Sequence, residues 1–205
     1  VDDNAATISL WPIFDAIDGA RETVCVQFYT IVDDDAGRAL ADRLVAAAGR
    51  GVLVRLLFDG VGSYGLSRRY RRRLADAGVR IVDPRVAPGP TSRLNINFRN
   101  HRKTVIVDGT VGFLGGHNVS DTYMGRDRHF GRWRDTHVVL RGPIVSQLQL
   151  VFTEDWHWAT GELLTDELNW NPGTRDENMP ALLLPTGPAD EMETGAQSYF
   201  AAVSA

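Results

Sequence analysis

Six residues of this 205-residue chain have types and spacing suited to chemistry: His101, Lys103, Asp108, Gly115, Gly116 and Asn118. They form the pattern H-x-K, four residues, D, six residues, G-G-x-N. In an extended segment alternate side chains share a face, so His101 and Lys103 project together while Arg102 and Thr104 project the other way. A nucleophilic imidazole beside an ammonium suits attack on a phosphodiester: the ammonium binds the non-bridging oxygens and offsets charge developing in the transition state. Asn118 can donate its amide to a phosphate oxygen, and Gly115 and Gly116 let backbone approach a ligand closely. Plainer assignments stand beside these. Asp108 is equally suited to be only the first residue of a type I′ turn. Asn118 is equally suited to a turn or a helix cap. The joint spacing is far more specific than any single member.

The elements that must position these residues follow from pattern. Residues 105–107 and 111–114 are strand-like runs, and Asp108-Gly109 between them is a strong hairpin signal. Upstream, a helix over 11–20 leads to a strand over 23–32. Residues 35–48 read as an amphipathic helix with Leu40, Leu44 and Ala47 on one face, ended by Gly51. Residues 52–58 are a near-continuous apolar strand, as expected when both faces are covered. An arginine-rich helix over 66–77 and a short strand over 79–82 follow. Downstream come a strand near 136–140 and a helix over 144–158. Helices alternating with strands predict an α/β fold, a mixed β-sheet with helices on both faces. Residues 84–97 and 160–180 are loop-like, rich in Pro, Gly and Asn. The length favours one domain with a real core.

The H-x-K, D, G-G-x-N pattern resembles the HKD motif of the phospholipase D superfamily. The flanks resemble bacterial cardiolipin synthases of that type over nearly the whole chain. They include Phe28-Tyr29 with the acidic run 33–35, then residues 50–55 and Phe58-Asp59-Gly60-Val61-Gly62-Ser63. They continue with residues 94–103, Trp133-Arg134-Asp135-Thr136-His137, Gly142-Pro143 and residues 152–156. The resemblance implies one phospholipase D-like half-domain over 1–160, with 161–205 as an acidic connection and the start of a second half. It implies phosphatidyl transfer through a phosphohistidine, with His101, Lys103, Asp108, Asn118 and Asp135 as catalytic residues. Gly115 and Gly116 would contact substrate, and no metal or other cofactor is implied. Asp135 is the candidate for orienting His101 through its other ring nitrogen; it could equally be a strand-edge salt-bridge partner of Arg134. His117, His129, His137 and His157 do not occupy the motif's catalytic position and are expected to be structural or exposed.

The family's active site uses two such motifs, and this chain holds one. The partners implied are a phosphatidylglycerol-like phospholipid and a second HKD half or a homodimer mate. Residues 182–188 and Tyr199-Phe200-Ala201-Ala202 resemble the opening of that second half. The chain begins at Val1 and carries no membrane-spanning stretch, whereas family members usually begin with such helices, so a fragment is the simplest expectation. A bacterial protein, cytoplasmic or peripheral at the inner membrane, is implied. The alternatives are a homodimeric phosphodiesterase or nuclease, a phospholipase D hydrolase, and an inactive fragment that binds anions or membrane.

Charge is unevenly spread. Residues 161–205 hold one basic and eight acidic residues, so the net charge of −4 hides a mildly basic motif-bearing part. Arg68, Arg69, Arg71, Arg72 and Arg73 cluster on the predicted helix; they suit anionic lipid headgroups or simply a solvated helix face, the reading favoured here. A nucleic-acid footprint would be more strongly basic. Cys25 is the sole cysteine, which excludes an internal disulfide, and it lies in an apolar run as a small core residue.

Overall fold

Apolar β-branched runs build the centre of the sheet, and helices with one apolar stripe each close over it. The computed structural model describes residues 10–84, 100–174, 179–187 and 194–204. The elements in chain order are α1 (Trp11–Asp18), β1 (Thr23–Phe28), α2 (Asp35–Gly49), β2 (Leu53–Phe58), α3 (Arg68–Asp76) and β3 (Arg80–Val82). They continue with β4 (Thr104–Val107), β5 (Val111–Gly115), β6 (His137–Arg141), α4 (Ile144–Thr160) and α5 (Thr194–Ser204).

The sheet order is β3-β2-β1-β4-β5-β6. β1, β2 and β3 are parallel, while β4, β5 and β6 add on antiparallel, so the sheet is mixed as expected. Alternation along the strands assigns the two faces. Val24, Val26 and Phe28 of β1, with Val54, Leu56 and Phe58 of β2 and Val105 and Val107 of β4, pack with apolar residues of α1, α2 and α3. Cys25, Leu57 and Ile106 point the other way and pack with Val145, Leu148, Phe152 and Trp156 of α4. Helices therefore cover both faces. Cys25 is fully enclosed, and burial pushes its thiol pKa up to about 12, so it behaves as a small apolar core residue.

Local signals explain the helix starts. Asp34 caps α2 by accepting from Gly37 N at 3.0 Å, and Ser67 caps α3 by accepting from Tyr70 N at 3.0 Å. The stretch after α4 folds back onto the body: Leu164 and Leu168 are buried beside Trp156, and Glu167 pairs with the buried Arg55. The predicted strand over 23–32 stops early in the ladder, at Phe28. Beyond it the chain turns toward β5's end, where Ile31 bridges Val119 and Val32 N donates to Val119 O at 3.0 Å.

The β4–β5 hairpin turns at Asp108 and Gly109, with φ of 51° and 63°. Positive φ at both positions is what a primed hairpin turn requires.

Candidate active site

The carboxyl ends of β1 and β2, the amino end of β4, the carboxyl end of β5 and the amino end of β6 all meet at one edge of the sheet. In α/β sheets the crevice outside the strand ends is the usual ligand site. Here it is an open cleft of about 470 Å³ lined by residues that include Tyr29, His101, Lys103, Gly115, Gly116, Asn118 and Asp135.

His101 and Lys103 sit just before β4 rather than inside it, but the alternation still holds. Gly115 N reaches Lys103 O at 3.4 Å, which continues the β4–β5 pairing toward the cleft. Lys103 Nζ stands 3.0 Å from His101 Nδ1 and donates to His101 O at 2.6 Å. Burial lowers the pKa of His101, the Lys103 charge lowers it further, and Asp59 opposes both. The imidazole is thus held toward its neutral, nucleophilic form. Burial also lowers the pKa of Lys103, while the Asp135 carboxylate acts to keep it charged.

Tyr29 was not expected in the site. Its ring lies 4.4 Å from the His101 ring, and Lys103 Nζ lies 5.5 Å from its centroid, within cation–π range. The available signal was its place directly after β1, at the end where the cleft forms.

Arg102 projects to the α4 face. Its NH1 stands 2.7 Å from both carboxylate oxygens of Asp155, which also accepts from Gln27 Nε2 at 2.8 Å and from Asn100 Nδ2 at 2.7 Å. This network fixes the back of the segment whose front presents His101 and Lys103. Asp155 lay inside a flank noted for resemblance, and nothing in its spacing alone linked it to residue 102.

Asn118 is buried and already anchored: its Oδ1 accepts from Thr30 N at 3.0 Å, and its Nδ2 donates to the Tyr123 hydroxyl at 2.9 Å. An amide nitrogen carries two hydrogens, so one remains for an oxygen in the cleft. Gly115 and Gly116 line the cleft, but protein fills the space their side chains would take. A Cβ on Gly116 would lie 2.6 Å from Asp135 Cγ, and one on Gly115 would lie 2.6 Å from His137 Cα. Close packing against residues 135–137 is enough to demand glycine at both positions. Asp135 accepts from Thr136 N at 2.8 Å and from Trp133 Nε1 at 3.4 Å. It shares the cleft with His101, but His101 Nδ1 faces Lys103 in this conformation.

Asp108, expected among the catalytic residues, is not among the residues that line the cleft. It lies at the far end of β4, where its Oδ1 accepts from Glu22 N at 2.8 Å and Thr23 N at 2.9 Å and its Oδ2 accepts from Arg21 N at 3.0 Å. The seven-residue separation from His101 spans the length of the strand, so the motif's carboxylate ties the hairpin turn to the start of β1.

The other histidines divide by burial. His129 and His157 are exposed, while His117 and His137 are buried with their rings 6.3 Å apart. Neither ring nitrogen of His137 finds a partner among the described residues, and burial followed by the His117 charge lowers its pKa to about 4. Among the described residues no group of three His, Cys, Asp or Glu side chains is placed to hold a metal ion. Among them too, no helix is long and apolar enough to cross a membrane.

Residues 13–156 match the family described as cardiolipin synthase, PLD-like domain. The chain is 47% identical over 192 residues to Cardiolipin synthase A of Pseudomonas entomophila, covering 93% of this chain and 40% of that protein. It is 44% identical over 194 residues to Cardiolipin synthase A of Pseudomonas fluorescens, covering 94% and 40%. The chain thus spans about two-fifths of the length of these curated bacterial relatives. Among solved structures, the fold is similar to NucT from Helicobacter pylori, with a TM-score of 0.55 and 17% identity over 74% of this chain and 89% of that one. It is also similar to Nuc from Salmonella typhimurium, a phospholipase D family member, with a TM-score of 0.50 and 19% identity over 72% and 86%. By the extent of the family match and the paired His101 and Lys103 in the cleft, the chain belongs to the cardiolipin synthase, PLD-like domain family.

Proposed function

We propose that the cleft is one half of a phosphatidyltransferase site that works by two-step displacement. His101 attacks the phosphorus of a phosphatidylglycerol-like lipid through Nε2, and the bond from phosphorus to the glycerol oxygen breaks. The leaving oxygen takes a proton from a histidine of a second H-x-K half. The glycerol hydroxyl of another lipid then attacks the phosphohistidine, gives its proton to that same histidine and releases His101. Lys103 and the free Asn118 amide hydrogen hold the non-bridging oxygens through both steps. Nucleophilic Nε2 needs its proton on Nδ1, so the ring turns from Lys103 and Asp135 holds that proton. Asp108 supports the turn that sets β4 and takes no part in the steps.

The observation that carries this reading is the pairing of His101 with Lys103 in a cleft that His101 alone supplies with an imidazole, among its described lining residues. In-line displacement needs a proton donor opposite the nucleophile, and we assign that role to a histidine from outside this cleft. The relatives named Cardiolipin synthase A supply the reaction class and favour a domain working at the surface of a bacterial membrane.

The test compares this chain alone with the chain joined to a second HKD half, on phosphatidylglycerol, with sedimentation to establish the species present. Turnover that requires the second half is expected. Equal turnover by demonstrated monomers of this chain alone would contradict the two-half site.

A further inference from the structure

We propose that the loop between β5 and β6, residues 126–134, is the surface by which this domain docks on an anionic phospholipid bilayer with its cleft against the headgroups. Nine residues here hold Arg126, Arg128, Arg132 and Arg134 against one acidic residue, Asp127. All four arginines are exposed. Arg126 pairs with Asp121 at 3.2 Å, whereas Arg128, Arg132 and Arg134 meet no carboxylate among the described residues. Asp127 is turned inward on its own loop, accepting from His129 N at 2.7 Å and Phe130 N at 3.3 Å, so its charge is spent locally.

An apolar group stands among these charges. Phe130 is 61% exposed. It is the outer end of a row of rings that starts in the cleft. The Tyr123 hydroxyl holds Asn118, the Tyr123 and Trp133 rings are 4.9 Å apart, and the Trp133 and Phe130 rings are 6.4 Å apart, each pair edge-on. Tyr123 and Trp133 also line the cleft. Aromatic rings favour the membrane–water interface, and arginines just outside it bind anionic headgroups. A ring placed at headgroup depth, flanked by unpaired guanidinium groups and continuous with the cleft wall, lets a lipid present its phosphodiester to the site while its chains stay in the bilayer. The arginines of α3 form the competing basic surface, but among the described residues no comparable row of rings joins them to the cleft.

The inference rests on the proposed phosphodiester reading only for the orientation of the cleft; docking itself is measured without turnover. The test is co-sedimentation of the chain with phosphatidylcholine vesicles containing or lacking phosphatidylglycerol. Binding to the anionic vesicles is expected to weaken about five-fold for each of Arg128→Ser and Arg132→Ser and about thirty-fold for the pair. Phe130→Ala is expected to weaken it several-fold even at high salt, where charge attraction is screened. The loop variants should all keep their far-ultraviolet circular dichroism and, when joined to a second H-x-K half, the parent's rate of phosphohistidine formation on a soluble short-chain substrate. Absence of the adduct in the unmodified protein joined to that second half would count against the site reading alone. Unchanged vesicle binding by the loop variants would overturn the docking surface. So would loss of binding by Arg68→Ser/Arg72→Ser with the loop variants unaffected. A Phe130-dependent dimer, or Arg128-dependent binding of single-stranded DNA in place of vesicles, would equally overturn it.

Discussion

Arg102 and Asp155 clamp the segment that carries His101 and Lys103 from behind: Arg102 NH1 sits 2.7 Å from each carboxylate oxygen of Asp155, across 53 residues of sequence. The part-buried carboxylate gathers Gln27 and Asn100 as well, so removing it strands three donors at once.

Asp155→Ala is therefore expected to cost about 2–4 kcal/mol, the range for breaking a largely buried, hydrogen-bonded ion pair. Urea denaturation measures the cost. As a positioning change it should also slow phosphohistidine formation at saturating substrate, with little effect on the concentration needed for half-saturation. A stability loss with an unchanged rate would make the clamp purely structural.

Asp108→Ala should behave differently. It removes acceptors for three backbone N–H groups and the side chain of a turn residue, at a cost of about 2 kcal/mol. Per folded molecule, the rate of adduct formation should stay within about two-fold of the parent. A loss comparable to that of a charge-stabilising group, about 10²–10³ in rate, would return Asp108 to the chemistry.

His137 predicts a pH dependence of stability. Its folded pKa, about 4, lies below the ordinary value of 6.5, so between those values the unfolded chain binds the proton and the native one does not. Stability contributed by keeping it neutral is complete above about pH 6.5 and is lost as pH falls toward 4, by about 1–2 kcal/mol between pH 7 and pH 5. His137→Gln should flatten that slope in urea titrations at the two pH values. An unchanged slope would assign the acid sensitivity to other groups.

Much of this arrangement is legible in sequence because it is local. Alternation placed His101 and Lys103 on one side and Arg102 on the other, and Asp108-Gly109 marked the hairpin. Burial on both faces made residues 53–58 a nearly unbroken apolar run. The features that were not legible depend on distant strands meeting. Gly116 must be glycine because Asp135, 19 residues later, occupies the space beside it. Tyr29 reaches His101 because β1 and β4 are neighbours, and Asp155 reaches Arg102 because α4 covers that face. At Asp108 the sequence left a catalytic and a turn role open, and the structure places its carboxylate on the backbone at the start of β1. α5 was missed because none of its residues is buried, so no core stripe marks it.

Lys103→Ala should slow adduct formation by about 10²–10³, as loss of one preorganised charge-stabilising group typically does. The same change removes a neighbouring positive charge from His101, so the imidazole pKa should rise toward its ordinary value. Proton resonance titration of the His101 ring checks that direction; a further fall would contradict the electrostatic coupling between the pair.

The most direct test of the proposed reaction is to trap a covalent intermediate in this chain joined to a second H-x-K half and locate it by mass spectrometry. A phosphoryl adduct on His101, abolished by His101→Asn while circular dichroism is unchanged, is the predicted result. An adduct found only on the histidine of the second half, and still formed when His101 is replaced, would contradict it and make His101 the general acid.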